Sequence, residues 1–229
     1  MKIVCVGCSY TDGWVDGITS YKDTYPYKLL QYFPNATVYN LGIGGGSNYL
    51  TYRFMDQAIS YFKPDIVVRQ ITTQNRFFAY NMQKKLENKA LVRHAVQKPG
   101  ENYYLINRNT FKKDCQIFTL STIGKGRLYD SSTSSKIHNM FFKYIHPDIF
   151  WEQDKAFLLA GDAVLNNFKG KHVTFSWFEQ SRHLNNPCIE DTIKFKNEYV
   201  LDEGYHFTPA GNEVLAKNVY DMITEKYKE

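Results

Sequence analysis

Three short apolar runs, Lys2–Gly7, Thr37–Leu41 and Asp65–Ile71, alternate along the chain with segments of helical periodicity. No other feature of the sequence restricts the fold as much. The runs read as buried strands, and the segment between the first two predicts a helix over Tyr25–Phe33. After Ser47, the residues Leu50, Phe54, Ala58, Ile59 and Phe62 recur at three- and four-residue steps, the pattern of a helix with one apolar face. Strand, helix, strand, helix, strand in that order implies an α/β fold, a parallel sheet with helices on both faces. A fourth run, His172–Phe178, reads as a further strand. The last helix has a clear start: Thr208 suits its N-cap and Pro209 its first turn, and Val214, Leu215, Val219, Met222 and Ile223 form its apolar stripe.

With 229 residues, 43% of them hydrophobic and 22% charged, the chain has the composition of a globular protein with one sizeable core. No stretch resembles a linker, so a single domain over 1–229 is expected. Between about 77 and 170 the pattern loosens into an elaboration of that domain, with helices expected around Ile137–Tyr144 and Phe150–Phe168. Within it, Lys84–Lys113 carries eight basic residues against Glu87 and Glu101. Such a run is read as a solvated face; with no nucleic-acid motif present, no nucleic-acid partner is expected. The start MKIVCVGCSY shows neither a cleavable leader nor a membrane span, which points to a protein with no membrane partner, cytoplasmic or part of a larger particle. Four scattered cysteines complete neither a disulfide framework nor a zinc site. The Cys5–Cys8 pair has redox spacing, but Cys5 falls inside the apolar strand, where a thiol is usually inert packing. No metal and no cofactor are expected. The 16% aromatic share is assigned to core filling.

The candidate chemistry lies at the two ends of the chain. In GCSYTDG, Gly7–Gly13, Ser9 follows the first strand directly, at the carboxyl edge of a parallel sheet where ligands bind and close to backbone N–H groups. A serine after glycine is also a common turn residue, so it needs partners. In DEGYHFTPAG, Asp202–Gly211, His206 stands three and four residues after Glu203 and Asp202, just ahead of the last helix. An acid paired with an imidazole fixes its tautomer and leaves the other ring nitrogen to accept a serine proton.

These two blocks resemble the SGNH/GDSL hydrolase family. Its first block, Gly-Asp-Ser-x-Thr-x-Gly, is matched at Gly7, Ser9, Thr11 and Gly13, with Cys8 in place of the aspartate. Its last block, an acid, two residues, the catalytic histidine and a glycine five residues on, is matched at Glu203, His206 and Gly211. The resemblance implies a three-layer α/β/α sandwich with a central parallel sheet, and a serine hydrolase acting on acyl esters. It places the family's oxyanion-hole glycine on Gly45 in NLGIGGGSN, with Gly44 and Gly46 as neighbouring alternatives, beside the Ser9 N–H. The family's side-chain donor after the third strand falls on Gln74 by count or on Asn75 by residue type. For the acid, register selects Glu203 and residue type Asp202.

A small acyl ester or an O-acylated carbohydrate is the expected substrate. Two rivals are weighed against it. Gly42, Gly44 and Ser47 have the spacing of a dinucleotide loop, but follow the second strand, and no acid ends the next one. A catalytically degenerate domain on the same fold, binding glycans or serving a structural role, has no need for both Ser9 and His206.

Overall fold

The computed structural model describes residues 1–13, 20–72, 91–107, 111, 149, 151–176, 186–188, 199 and 206–228, and the backbone of 76–80, 117–121, 147, 148 and 150. Its frame is a six-stranded sheet. The strands are β1 (Lys2–Val6), β2 (Thr37–Asn40), β3 (Ile66–Ile71), β5 (Ala95–Gln97), β6 (Tyr103–Ile106) and β8 (Lys171–Ser176), while β4 (Arg76–Tyr80) and β7 (Ile117–Ser121) pair separately as an antiparallel ribbon. In space the order is β5-β6-β2-β1-β3-β8. All neighbours run parallel except β5, which is antiparallel to β6 at the edge.

Successive strand residues face opposite ways, and each face collects its own core. On one side Ile3, Cys5, Val38, Ile66, Val68, Val173 and Phe175 meet Tyr25 and Leu29 of the α2 region (Tyr25–Lys28), together with Leu215, Ala216, Val219 and Ile223 of α5 (Pro209–Lys226). On the other side Val4, Val6, Tyr39 and Val67 meet Leu50, Phe54, Met55 and Ala58 of α3 (Asn48–Phe62) and Leu165 of α4 (Pro147–Asn167). The result is three layers, helix, sheet and helix. Among the described residues no helix is long and apolar enough to cross a membrane.

Several expectations are refined. The sheet is mixed rather than wholly parallel, and β6, inside the stretch read as an elaboration, is an integral parallel strand beside β2. The helix expected over Tyr25–Phe33 is α only to Lys28 and then tightens into a 3-10 turn over Leu29–Gln31. Pro34 disfavours helical backbone at Phe33, so the element closes early. Helix α5 starts as expected, with Thr208 Oγ1 accepting from the Gly211 N–H at 3.1 Å. The helix expected around Ile137–Tyr144 and most of the basic window lie outside the described residues.

The strand order positions a site. From β1 the chain crosses to β2 on one side and later to β3 on the other, so the strand order reverses at β1. Sheets of this kind take their ligands at such a point, beyond the carboxyl ends of the strands.

Candidate active site

Ser9 opens a single helical turn, α1 (Ser9–Asp12), immediately beyond β1. The turn is drawn tight by Asp12 N–H to Cys8 O at 2.9 Å and Gly13 N–H to Ser9 O at 2.7 Å, and Gly13 closes it in the left-handed region at φ 71°. Gly7 has a steric reason to be glycine, since a side chain there would run into Thr11 Oγ1 and Gln70 Oε1. Gln70, fully buried on β3, uses that oxygen to accept from the Cys8 N–H at 2.9 Å and from Thr11 Oγ1 at 3.2 Å. The chain around Ser9 is therefore held from the neighbouring strand β3.

Ser9 Oγ lies 3.0 Å from His206 Nε2, across 197 residues of sequence. With that nitrogen unprotonated, the hydroxyl donates to it. The imidazole sits just ahead of α5, where the Thr208 N–H bonds to Tyr199 O at 3.0 Å. A Cβ at Gly211 would lie 2.5 Å from the same Tyr199 oxygen, which accounts for the glycine five residues after the histidine. Tyr10, nearly buried, packs its ring 4.9 Å from the His206 ring at 31°. Cys8, standing where the resembled family has aspartate, is buried in the core, and neither it nor Cys5 forms a disulfide. Burial pushes the Cys5 thiol far above its ordinary range, as expected of an inert packing residue.

The glycine-rich turn crosses directly over α1. A side chain at Gly42 would collide with the backbone of Thr11 and Asp12. Asn40 stitches the crossing: Nδ2 donates to Thr11 O at 2.8 Å and to the Tyr103 hydroxyl at 3.0 Å, and Oδ1 accepts from the Gly42 N–H at 3.0 Å. Asp12 Oδ2 accepts from the Gly44 N–H at 2.6 Å. The Gly46 N–H bonds back to Ile43 O at 2.8 Å, and Gly45 at the third position has φ 76°, the conformation a type II turn requires there. Of the three glycine N–H groups, those of Gly44 and Gly46 are thus engaged, and that of Gly45 has no partner among the described residues.

The structure brings Ser9, His206 and the Gly45 turn to one sheet edge. The candidate acids Asp202 and Glu203 and the candidate donors Gln74 and Asn75 lie outside the described residues. Sequence reasoning missed three side chains that organise the site. Asp12, which holds the glycine turn, left only the signal of an acid inside a block otherwise buried. Asn40 left none beyond its place at a strand end. Gln70 left one, a polar residue inside an apolar strand, which needs a buried partner.

No family model matches the chain, and no curated protein matches it in sequence. Solved structures do resemble it. A two-domain esterase active on acetylated mannans superposes at TM-score 0.46 with 13% identity, over 100% of this chain and 51% of that one, so the chain spans about half that esterase's length. The lipase/acylhydrolase from Enterococcus faecalis gives TM-score 0.43 and 14% identity over 98% of this chain and 96% of that one. A putative lipolytic protein of the G-D-S-L family from Desulfitobacterium hafniense gives 0.37 and 13% over 95% and 97%. Likeness at this level carries no chemistry, which has to come from the chain's own geometry.

Proposed function

We propose that this protein is a serine hydrolase of the SGNH/GDSL type that cleaves acyl esters through an acyl-enzyme on Ser9. The observation that carries this reading is the 3.0 Å contact between Ser9 Oγ and His206 Nε2 at the carboxyl edge of the sheet. As His206 Nε2 takes the hydroxyl proton, Ser9 Oγ attacks the ester carbonyl carbon and the carbonyl oxygen becomes an oxyanion. The Ser9 and Gly45 N–H groups, with the amide of Gln74 or Asn75, donate to that oxygen. Collapse breaks the carbon–oxygen bond of the ester, and the imidazolium returns the proton to the departing alcohol. Water, deprotonated by the same imidazole, then releases the acid and regenerates Ser9. Asp202 or Glu203 holds the far ring nitrogen and stabilises the imidazolium. The substrate class is a small acyl ester or an O-acylated carbohydrate.

The rival reading, a silent domain on this fold, is not favoured by a buried serine kept within hydrogen-bonding distance of a histidine. Reaction with a fluorophosphonate probe, followed by mapping of the modified peptide, should place the label on Ser9. Ser9→Ala should lose about a thousand-fold or more in kcat on p-nitrophenyl acetate and remain folded. Wild-type turnover in that variant, or a label elsewhere, would put the nucleophile at another residue.

A further inference from the structure

Ser9 and His206, in contact at 3.0 Å, stand on segments from opposite ends of the chain, the α1 turn and the residues just ahead of α5. A second path of hydrogen bonds joins the same two segments, and it runs through Asn212 and Tyr25. Asn212, the fourth residue of α5 and 3% exposed, directs Nδ2 to Phe207 O at 3.4 Å and to Thr208 O at 3.2 Å, the two carbonyls that follow His206 directly. Its Oδ1 accepts from the Tyr25 N–H at 3.0 Å. That N–H opens α2 and has no carbonyl of its own helix to meet. At the far end of the same residue, the Tyr25 hydroxyl lies 3.1 Å from Oγ1 of Thr11, which stands two residues after Ser9 in α1.

The direction of that last bond follows from its neighbour. Thr11 Oγ1 has one hydrogen and gives it to Gln70 Oε1 at 3.2 Å, so the Tyr25 hydroxyl is the donor to Thr11. Burial raises the Tyr25 phenol well above its ordinary range, and the donor proton is retained. Tyr25 and Thr11 are both 0% exposed. A stiff aromatic side chain thus spans the gap as a strut of fixed length. One end bears on the serine turn, and the other, through Asn212, on the residues beside the histidine.

We propose that Tyr25 and Asn212 act as positioning residues, a clamp that holds the Ser9 hydroxyl and the His206 ring at proton-transfer distance. The proposal rests on the acyl-transfer reading of Ser9. A placed base contributes about a hundred- to ten-thousand-fold, and a displacement of about 1 Å caused away from the chemistry can cost about a hundred-fold. The clamp has a chemical signature. Acylation by a p-nitrophenyl ester asks the imidazole for one transfer, from Ser9, because p-nitrophenolate departs without a proton. An alkyl ester asks for two, since the departing alkoxide takes the proton back from the imidazolium as the carbon–oxygen bond breaks. A loosened Ser9–His206 pair is therefore felt more by the alkyl ester.

The test uses the intact protein, with p-nitrophenyl acetate and ethyl acetate as substrates and functional sites counted by complete fluorophosphonate labelling of Ser9. Tyr25→Phe keeps the ring and removes only the bond to Thr11. It should lower kcat/KM per labelled site by about three- to ten-fold on the aryl ester, and by about a further three-fold or more on ethyl acetate. Asn212→Ala frees the residues beside His206 and should lose about ten- to a hundred-fold on the aryl ester, again with the larger loss on the alkyl one. A variant that was merely less stable would label at fewer sites and lose one common factor on both esters. If Asn212→Ala yields no folded protein, Tyr25→Phe decides alone. Should Tyr25→Phe keep wild-type kcat/KM on both esters, or lose the same factor on each, the clamp is overturned and the Ser9 reading stands on its label. A wild-type protein that neither labels nor turns over overturns both, since there would be no proton transfer to position.

Discussion

At the scale of single residues the site depends on how the His206 ring is kept facing Ser9. One contact of that ring is with Tyr10, whose own ring lies 4.9 Å away. Aromatic pairs of this kind contribute about 0.5–1.5 kcal/mol beyond simple burial, equivalent to a few-fold up to about ten-fold in rate if the contact selects the productive imidazole orientation. Tyr10→Ala should therefore lose up to about ten-fold in kcat on a short ester, while Tyr10→Phe stays close to wild type because it keeps the ring. Equal losses in the two variants would shift the role from the ring to the hydroxyl. The meeting of Ser9 and His206 was legible in the sequence because each sits in a block whose neighbours have steric reasons visible as residue types, Gly7 and Gly13 around the serine, Gly211 and Thr208 after the histidine. The Tyr25 and Asn212 pair was not legible. Its members are 187 residues apart, and nothing in the periodicity of either helix records the other.

Between elements, the packing of α4 on β3 turns on one glycine. A Cβ at Gly161 would lie 2.6 Å from Cζ and Nη2 of Arg69. That guanidinium has little freedom to yield, being buried, paired with Asp162 and bonded to Leu158 O at 3.1 Å. On an open helix surface, glycine to alanine stabilises by up to about 1 kcal/mol. Here overpacking, typically about 1–3 kcal/mol, outweighs it. Gly161→Ala should thus destabilise in urea titration, and a stabilising result would mean that the guanidinium has room to move. The same scale shows why the fold was only partly readable. Strands β1, β2, β3 and β8 announce themselves as apolar runs. Strand β6, Tyr103–Ile106, is an apolar run too, but it is short and lies between Asn102 and Asn107 in a stretch without regular periodicity; its place in the sheet shows only in its pairing with β2, where the Val38 N–H bonds to Asn102 O at 2.9 Å. Pairing of that kind is tertiary context, which a local run does not record.

For the molecule as a whole, Asp154 predicts a pH dependence of stability. Burial raises its carboxyl from the ordinary range to about 7, against the opposing pull of the Asn48 hydrogen bond and the Arg69 charge. Between about pH 4 and 7 the native protein therefore holds a proton at this group that the unfolded chain has released. The stabilising contribution is complete below the ordinary carboxylate range and is lost as the pH rises through about 7. Asp154→Asn removes that slope, so the wild-type melting temperature minus the variant's should shrink steadily from pH 4.5 to 7.5 in about half-unit steps. Parallel curves would show that the carboxyl titrates normally.

The Ser9–His206 contact spans 197 positions of the sequence, and it has a consequence for assembly. Neither the β1–α1 segment nor the segment before α5 holds half of a working site. The Ser9 hydroxyl meets the His206 ring only when α5 has docked on the sheet, so on the acyl-transfer reading turnover would report chain closure. Two separately produced fragments, cut in the stretch between β7 and α4, would each be silent, and ester cleavage on mixing them would time their reunion.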